Sequence, residues 1–264
     1  MASDLIIIKF GGSLITDKSK LCTPNIDAIE KISILVTKLN NLGKKVIVVH
    51  GAGSYGHIKA KKWRLSEGFI PELNDQRTGL NEVREDMKNL NNLIVDSMRN
   101  NSIDVSAYRP HENGKGIGIK YKFSDNFDEI INSNKTPVVY GDVVESNCGG
   151  NFGILSGDDI CEILTNNYSP KHVIFAIDGA DGILEDPNSD NSIVIKQYVI
   201  GTKINTIDVE NDVTGGMELK IIRASNCLKL GSKVSIINGN KIDMIINSVL
   251  GLDYLGTELV LKMD

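Results

Sequence analysis

The stretch VIVVHGAGSYGH, residues Val46 to His57, decides how the rest of the chain is interpreted. It begins as an apolar, β-branched run typical of a buried strand and then breaks into a loop with three glycines within six residues. A glycine-rich loop at the end of a strand offers backbone N–H groups to an anion without side chains in the way. The stretch therefore predicts a strand that ends at an anion-binding loop, with an imidazole at its far edge.

A second loop of this kind lies closer to the N-terminus. The strand-like run LIIIKF, Leu5 to Phe10, leads into GGSLITDKSK, and two cations, Lys9 and Lys18, flank its glycines. The orders G-x-x-x-x-G-K-[ST] and G-x-G-x-x-G are both absent, so this is neither a P-loop nor a dinucleotide fingerprint. A single such loop is explained equally well by a tight strand-to-helix turn. Two of them on adjacent strands favour a donor phosphate that faces an acceptor.

Strand-like and helix-like patterns alternate along the chain, which is typical of an α/β fold around a mostly parallel sheet. Between the two loops, apolar residues recur at helical spacing from Ile29 to Leu39, with Pro24 suited to the first turn and Gly43 to the C-terminal cap. Both glycine loops then leave the carboxyl ends of strands. In open α/β sheets that edge is where ligands bind.

Further elements are predicted downstream. A helical pattern runs from Asn81 to Met98, and SGDDICEILTNNY reads as a helix capped by Ser156. The other predicted elements are strands at Thr136–Val144, Lys171–Asp178, 233–239 and 257–261, and helices at 218–231 and 241–251. Loops are expected at Arg109–Lys120 and Leu184–Ser192.

Composition narrows the possible functions. The 264 residues, 41% hydrophobic and 24% charged, are enough to bury a large core. A formal net charge of −5 argues against a nucleic-acid-binding surface, although it leaves room for a local basic pocket. The four cysteines form no C-x-x-C pair, so reduced thiols are expected. No apolar run reaches the roughly 20 residues of a membrane span and no signal peptide is evident, so we expect a cytoplasmic protein.

Six motifs in order along the chain resemble the amino acid kinase superfamily and, within it, the isopentenyl phosphate kinase family: KFGGSLITDK, HGAGSYGH, YGDVV, SGDD, DGADGILEDP and DVTGGMELK. The narrower assignment rests largely on His57, because relatives that phosphorylate carboxylates are not expected to carry this histidine. A branch of fosfomycin-resistance kinases shares it. The resemblance implies a three-layer αβα fold and one continuous domain, with residues 1–168 as a phosphate-acceptor lobe carrying the first ATP-phosphate loop and residues 169–264 as a nucleotide-binding lobe.

The resemblance also implies an activity: ATP-dependent phosphorylation of isopentenyl phosphate to isopentenyl diphosphate in isoprenoid (alternative mevalonate) biosynthesis, by a homodimer that uses Mg²⁺. Asp158 would orient Lys9 and Lys220, and Lys18 would stabilise the transition state. The implied catalytic residues are Lys9, Lys18, His57, Asp158 and Lys220. The implied ATP-binding residues are Lys9, Gly11, Gly12, Ser13, Asp178, Gly216 and Lys220, and the implied acceptor-binding residues are Gly51, Ala52, Gly53, Gly56, His57 and Gly157.

The acceptor loop departs from the family pattern, which has three consecutive glycines where this chain has GAG. Ala52 costs little if its φ is negative, but would tighten the site if the backbone there were left-handed. His57 is expected to donate a hydrogen bond to the acceptor phosphate; the alternative is a histidine that caps the following helix. Gly215 and Gly216 ahead of Lys220 favour a nucleotide site over a plain turn with a solvated lysine.

The chemistry itself needs no strong general base, since a phosphomonoester with a second pKa of about 6 is mostly ionised near neutral pH. Positioning and positive charge are what an in-line transfer between two anions requires. Mg²⁺ is expected to be held by the ATP phosphates and water, without a dedicated protein cage.

The five-carbon tail of the acceptor needs a short apolar slot. The Asn81–Met98 helix is a better candidate for the wall of this slot than the segment with Trp63, Leu65 and Phe69. Which residue of that helix faces the slot, Met87, Leu90 or Ile94, stays open. Two alternatives remain: a same-fold kinase for another phosphomonoester or phosphonate such as fosfomycin, and a non-catalytic oxyanion-binding protein.

Overall fold

The structure is a computed structural model that describes residues 4–147, 149–189, 191–202 and 216–262. The helices are α1 (Gly12–Ile15), α2 (Ile26–Asn41), α3 (Gly53–Lys62), α4 (Gln76–Asn100), α5 (Pro110–Asn113), α6 (Asn126–Asn132), α7 (Gly157–Tyr168), α8 (Gly216–Lys229) and α9 (Ile242–Leu250). The strands are β1 (Leu5–Phe10), β2 (Lys45–His50), β3 (Val105–Tyr108), β4 (Gly114–Lys115), β5 (Lys122–Phe123), β6 (Thr136–Tyr140), β7 (Asp142–Glu145), β8 (Phe152–Leu155), β9 (His172–Ile177), β10 (Gln197–Val199), β11 (Lys233–Asn238) and β12 (Thr257–Val260).

A mostly parallel sheet of eight strands forms the centre of the fold, in the order β10-β12-β11-β9-β1-β2-β6-β3. Strand β1 lies between β2, with Leu5 opposite Lys45, and β9, with Ile6 opposite His172. Only the β11–β12 pair within this sheet is antiparallel in the described residues. This arrangement confirms the α/β fold with a mostly parallel sheet.

The sheet is covered on both faces, which explains why all six residues of β1 are buried. Alternate side chains along a strand point to opposite faces. Ile6 and Ile8 therefore join a core built with α2, α4 and α9, whereas Leu5 and Ile7 join a second core built with α7 and α8. The molecule has three layers, as the resemblance implied.

Several boundaries differ from the sequence predictions. The predicted strand Thr136–Val144 is interrupted at Gly141: β6 belongs to the large sheet, and β7 turns away to pair antiparallel with β8. Pro24 is not in the first turn of α2, because that helix begins at Ile26 and Asn25 caps it by accepting a hydrogen bond from the Ala28 N–H. The segment Arg109–Lys120, predicted as a loop, contains α5 and β4.

Other predictions are confirmed or extended. Gly43, with φ of +73°, lies directly after the last residues of α2 in the conformation expected of a C-terminal cap. The Asn81–Met98 pattern falls within α4, and Ser156 caps α7 in a capping box with Asp159. The short elements β3, β8, β10 and α6 have no counterpart in the sequence prediction, since a few residues carry too little periodicity.

Candidate active site

A cavity of about 380 Å³ lies at the carboxyl ends of the central strands. Both glycine loops open into it, and so does the N-terminus of α7. The described cavity wall includes every residue that the resemblance implied for catalysis, ATP or the acceptor: Lys9, Gly11, Gly12, Ser13, Lys18, Gly51, Ala52, Gly53, Gly56, His57, Gly157, Asp158, Asp178, Gly216 and Lys220. The fold therefore brings these residues to one place, at the edge of the sheet where α/β proteins bind ligands.

The two glycine loops touch each other backbone to backbone. A β-carbon at Gly12 would overlap the backbone nitrogen of Gly53, and one at Gly51 would lie 2.8 Å from the backbone nitrogen of Gly12. No real β-carbon tolerates such contacts, so both positions require glycine. Two anions bound on these loops would consequently be neighbours.

The GAG sequence of the second loop fits without strain. Ala52 has φ of −83° and ψ of −35°, an ordinary right-handed conformation, whereas Gly53 takes the left-handed conformation with φ of +50°. The condition under which Ala52 costs little is therefore met. The methyl group replaces a glycine hydrogen at a residue that does not need the conformational freedom of glycine.

One carboxylate holds two lysines at the inner end of the cavity. Lys9, at the end of β1, places its Nζ 2.8 Å from Asp158 Oδ1. Lys220, on α8, places its Nζ 3.1 Å from Asp158 Oδ2 and 3.4 Å from Oδ1. Lys9 and Asp158 are buried, with 6% and 5% of their surface exposed, so these ion pairs are shielded from water. The three groups carry a net positive charge when both lysines are protonated.

Burial and mutual charge shift the pKa values of this triad in different directions. For Asp158, burial alone would raise the pKa, but attraction by Lys220 and Lys9 outweighs it and holds the pKa well below its usual value. For Lys9, burial would lower the pKa, but Asp158 outweighs it and the pKa is raised. For Lys220, burial lowers the pKa to about 8, against the attraction of Asp158 and with added repulsion from Lys9.

The N-terminus of α7 is held in place by the residue next to Asp158. The Asp159 carboxylate accepts hydrogen bonds from the Ser156 backbone N–H at 3.0 Å and from its hydroxyl at 2.7 Å. Arg223 on α8 donates to Asp159 at 2.8 Å and to Glu162 at 3.1 Å. The two consecutive aspartates of SGDD therefore have different roles. Asp158 faces the cavity and binds its two lysines, and Asp159 connects α7 to α8 through Arg223.

His57 lies inside α3, at its fifth residue, and lines the cavity with a half-buried side chain. Helix α3 begins at Gly53, with Ala52 at the N-cap position. The alternative that His57 caps the following helix is therefore wrong. Lys18 follows α1 and is exposed at the mouth of the cavity.

An apolar wall borders the second glycine loop. It consists of Ala60 on α3, Val83 and Met87 on α4, Val143 on β7 and Ile154 on β8. Leu90 and Ile94 do not line the cavity among the described residues and are buried in the core instead. Of the three candidates on this helix, Met87 is the one that faces the cavity.

The segment with Trp63, Leu65 and Phe69, the other candidate for the wall of the slot, does not line the cavity. Trp63 packs on the core, Leu65 is fully buried, and Phe69 is 46% exposed. None of the three is among the described residues that line the cavity. Helix α4 lines the cavity and this segment does not.

Sequence reasoning missed the pairing of Asp142 with His111. Asp142 lies immediately after the break at Gly141, lines the cavity and is fully buried in its side chain. Its Oδ2 accepts a hydrogen bond from the His111 Nδ1 at 2.6 Å and from the His111 backbone N–H at 3.1 Å. His111, predicted as a loop residue, is part of α5 and fastens that segment beside the cavity. The aspartate of YGDVV was the available signal.

The remaining two histidines, His50 and His172, are buried in the core. His50 is fully buried, its Nδ1 lies 3.1 Å from the Gly51 carbonyl oxygen, and its ring stacks on Tyr140. Burial lowers its pKa to about 4, so the imidazole is neutral at pH 7. His172 is buried on β9. His50 is therefore a packed, hydrogen-bonded residue of the core.

Parts of two predictions lie outside the described residues. Gly215 and the preceding part of DVTGG belong to residues 203–215, and Cys148 is likewise not described. Among the residues that are described, no group of three or more His, Cys, Asp or Glu side chains could hold a metal ion. No helix in the described part of the chain is both long enough and apolar enough to cross a membrane.

Comparison with known proteins gives consistent results. The chain is 32% identical to the isopentenyl phosphate kinase of Methanocaldococcus jannaschii, over 97% of this chain and 98% of that protein. It is 33% identical to the isopentenyl phosphate kinase of Thermoplasma acidophilum, over 89% and 92% of the two chains. The crystal structure of the T. acidophilum isopentenyl phosphate kinase product complex superposes with a TM-score of 0.78 at 26% identity, covering 97% of this chain and 100% of that one.

The broader family is shown independently by the sequence profile of the amino acid kinase family, which matches residues 4–238. This range spans both glycine loops, Lys9 at the end of β1, and helices α7 and α8, which carry Asp158 and Lys220. The chain belongs to the amino acid kinase family.

Proposed function

We propose that this protein is an isopentenyl phosphate kinase, which transfers the γ-phosphoryl group of ATP to the phosphate of isopentenyl phosphate and releases ADP and isopentenyl diphosphate. Curated relatives of that name and a matching solved structure support the assignment. The observation that carries the proposal is that the two glycine loops touch each other beside a pair of lysines. The Asp158 carboxylate holds both of these lysines, Lys9 and Lys220.

The first cradle suits the ATP phosphates. Gly11, Gly12 and Ser13 follow β1. The Gly11 N–H donates to the Ala176 carbonyl at 2.9 Å, whereas the N–H groups of Gly12 and Ser13, in the first turn of α1, have no partner within that helix. Lys9 and Lys220 add positive charge beside this loop. Asp178 and Gly216 line the same half of the cavity, where Ile183, Leu184 and Met217 form an apolar surface suited to the nucleoside.

The second cradle suits the acceptor phosphate. Gly51, Ala52 and Gly53 lead into α3, and Gly56 and His57 lie on the first turns of that helix. Gly157, at the start of α7, lies opposite: a β-carbon there would approach the Lys9 side chain at 3.2 Å. His57 would donate a hydrogen bond to an acceptor phosphate oxygen, which favours a phosphate over a smaller carboxylate.

In the reaction, an oxygen of the acceptor phosphate forms a bond to the γ-phosphorus while the bond from that phosphorus to the β,γ-bridging oxygen breaks. ADP leaves with the electron pair. The acceptor is already a dianion above a pKa of about 6, so no proton has to be removed. The barrier is set by repulsion between two anions, and it falls when cations and fixed N–H groups surround the transferring group.

Asp158 keeps two ammonium groups at a set spacing in this site. Without it, Lys9 and Lys220 would repel each other in a buried environment and one would lose its proton. With it, both stay close to where the γ-phosphoryl group would be held. Lys18, exposed at the mouth of the cavity, would add positive charge near the transferring group.

Mg²⁺ would enter with ATP, held by phosphate oxygens and water, with Asp178 as an exposed carboxylate on the same wall. Both oxygens of Asp158 already face lysines, so this carboxylate is not placed to be a direct ligand. When bound, the ion supplies neutralisation of the β- and γ-phosphate charge.

The apolar wall supports a small hydrocarbon tail on the acceptor. Val83, Met87 and Ile154 lie on one side of the cavity, next to the second glycine loop. Arg84 fixes this wall by donating from Nε to the Val143 carbonyl at 2.8 Å, which ties α4 to β7. A short branched chain of five carbons would be buried there while its phosphate stays on the glycine loop.

We further propose a division of labour along the chain, a homodimeric assembly and a cytoplasmic location. Residues 1–168 would supply the acceptor half and the first phosphate loop, and residues 169–264 the rest of the nucleotide site. Free thiols at Cys22, Cys161 and Cys227 are compatible with a reducing compartment. The assembly rests on the family resemblance.

An acceptor panel tests the function. The protein is incubated with ATP, Mg²⁺ and either isopentenyl phosphate, fosfomycin or N-acetylglutamate, and products are read by ³¹P NMR. We expect a new diphosphate from isopentenyl phosphate only. The Lys9→Met variant keeps an unbranched side chain without the charge and should lose transfer.

The panel also separates the alternatives. Transfer to fosfomycin but not to isopentenyl phosphate would replace this proposal with a phosphonate kinase. Absence of transfer to every acceptor would indicate a non-catalytic oxyanion-binding protein.

A further inference from the structure

Thr16 connects the two glycine loops. It follows α1 directly, is 2% exposed and is not one of the described residues that line the cavity. Its hydroxyl donates to the Gly12 carbonyl oxygen at 2.7 Å and accepts from the Ser54 backbone N–H at 2.9 Å. A hydroxyl has one proton and two lone pairs, so both bonds form at once. Gly12 belongs to the first loop and Ser54 to the second.

The space around this hydroxyl shows how tightly the junction is built. A β-carbon at Gly53 would overlap the Thr16 hydroxyl oxygen and lie 2.9 Å from its methyl carbon. The glycine at this position is therefore required by Thr16 as well as by its left-handed backbone. The threonine side chain contacts both loops where they approach each other.

The same junction anchors the loop that carries Lys18. The Thr23 N–H donates to the Ser54 hydroxyl at 3.3 Å, and the Asp17 N–H donates to the Thr23 carbonyl at 2.9 Å. Thr16 and Thr23 thus hold the two ends of this loop against Ser54. A shift of Ser54 would therefore move the loop that carries Lys18 and both glycine loops.

We propose that Thr16 is a positioning residue that sets the distance between the donor and acceptor phosphates. This inference rests on the proposed phosphoryl transfer between the two loops. Each loop would still bind its own anion without the threonine. What the threonine adds is their spacing, and an in-line transfer requires the reacting atoms to be within about 3–3.5 Å in the bound state.

The substitution Thr16→Val isolates this effect. Valine has the same shape, but a methyl carbon needs about 3.5–4.0 Å from its neighbours where the hydroxyl accepts 2.7 and 2.9 Å. The two contacts must therefore lengthen by roughly 0.6–1.3 Å, which moves the loops apart, and a misplacement of that size costs on the order of 100-fold in rate. We expect kcat to fall about 100-fold, while the KM for ATP and for isopentenyl phosphate each change less than about threefold.

Two further variants separate positioning from stability. Thr16→Ser keeps the hydroxyl and should restore kcat to within about threefold of the original protein. Thr165→Val is the matched control, because Thr165 is also buried, at 1% exposure, and its hydroxyl donates to the Cys161 carbonyl four residues earlier at 2.7 Å. It should lower the melting temperature without a comparable fall in kcat.

The measurements are steady-state kinetics with both substrates and the melting temperature of each variant, at a temperature where all are folded. A normal kcat in Thr16→Val, or a loss that Thr16→Ser does not restore, would overturn the inference. So would equal losses of kcat in Thr16→Val and Thr165→Val. If the unmodified protein transfers no phosphoryl group, the proposed function itself fails, which the acceptor panel detects separately.

Discussion

Raising the pH from 7 to 9 should remove the charge on Lys220 and weaken the capture of ATP. This lysine is buried and its pKa is lowered to about 8, so its charged form is lost as pH rises through that value. About nine-tenths of the molecules carry the charge at pH 7 and about one-tenth at pH 9, which predicts a roughly tenfold fall in kcat/KM for ATP.

The two charged groups next to Lys220, Lys9 and Asp158, keep their charges over this range. The pKa of Lys9 is raised by Asp158, so Lys9 stays protonated. The pKa of Asp158 is held far below neutrality by its two lysines. The substrate phosphates, with second pKa values of about 6, are fully ionised above pH 8. An alkaline limb near pH 8 in kcat/KM for ATP is therefore assigned to Lys220.

The assay follows ADP formation by ion-exchange chromatography between pH 6.5 and 9.5, at saturating isopentenyl phosphate and constant free Mg²⁺. The Lys220→Arg variant keeps its charge throughout and should show no alkaline limb, even if its absolute rate is lower. Lys229→Arg, an exposed position later on α8, is the matched control and should keep the original profile. A flat profile up to pH 9.5 in the unmodified protein, or an unchanged limb in Lys220→Arg, would refute the reasoning.

Three further substitutions test other parts of the site. Asp158→Asn leaves two buried lysines without their carboxylate, so we expect kcat to fall about 100- to 1000-fold and urea unfolding to show a loss of about 3–5 kcal/mol; a kcat near normal would contradict the role of this carboxylate. His57→Ala should lower kcat/KM for isopentenyl phosphate about 10- to 100-fold, the value of a hydrogen bond to a charged group, with KM for ATP unchanged; equal losses for both substrates would instead indicate a general structural defect. Met87→Ala should shift the preference toward acceptors with longer tails, measured by competition between phosphomonoesters, and cost about 2–5 kcal/mol of stability; an unchanged tail preference would place the hydrocarbon elsewhere.

The position of the site could be predicted from sequence because it depends on local patterns. Runs of β-branched residues predict buried strands, and the glycines that follow these runs lie at the carboxyl edge of the sheet. The order of the six motifs resembles that of the amino acid kinase superfamily, and this resemblance implied the three-layer fold and the two lysines around Asp158. The cap of α7 was also predictable, since Ser156 and Asp159 lie three residues apart in the chain.

Other features depended on contacts between distant parts of the chain. The helical repeat of α4 puts Met87, Leu90 and Ile94 on one face, but only the position of that helix along the sheet shows that Met87 reaches the cavity and the other two do not. Likewise, the run Thr136–Val144 looks like one strand, and its break at Gly141 follows from β7 pairing with β8 rather than with the large sheet.

The sequence by itself determined that this chain forms an α/β sheet with two glycine loops at one edge, because strand and helix periodicities are properties of neighbouring residues. Only the tertiary structure decided that the loops touch, that the Thr16 hydroxyl bridges Gly12 to Ser54, and that Asp142 meets His111. The hydrogen bonds among these contacts join residues up to 38 positions apart. Their geometry is set by how the layers pack, and no local spacing in the sequence encodes it.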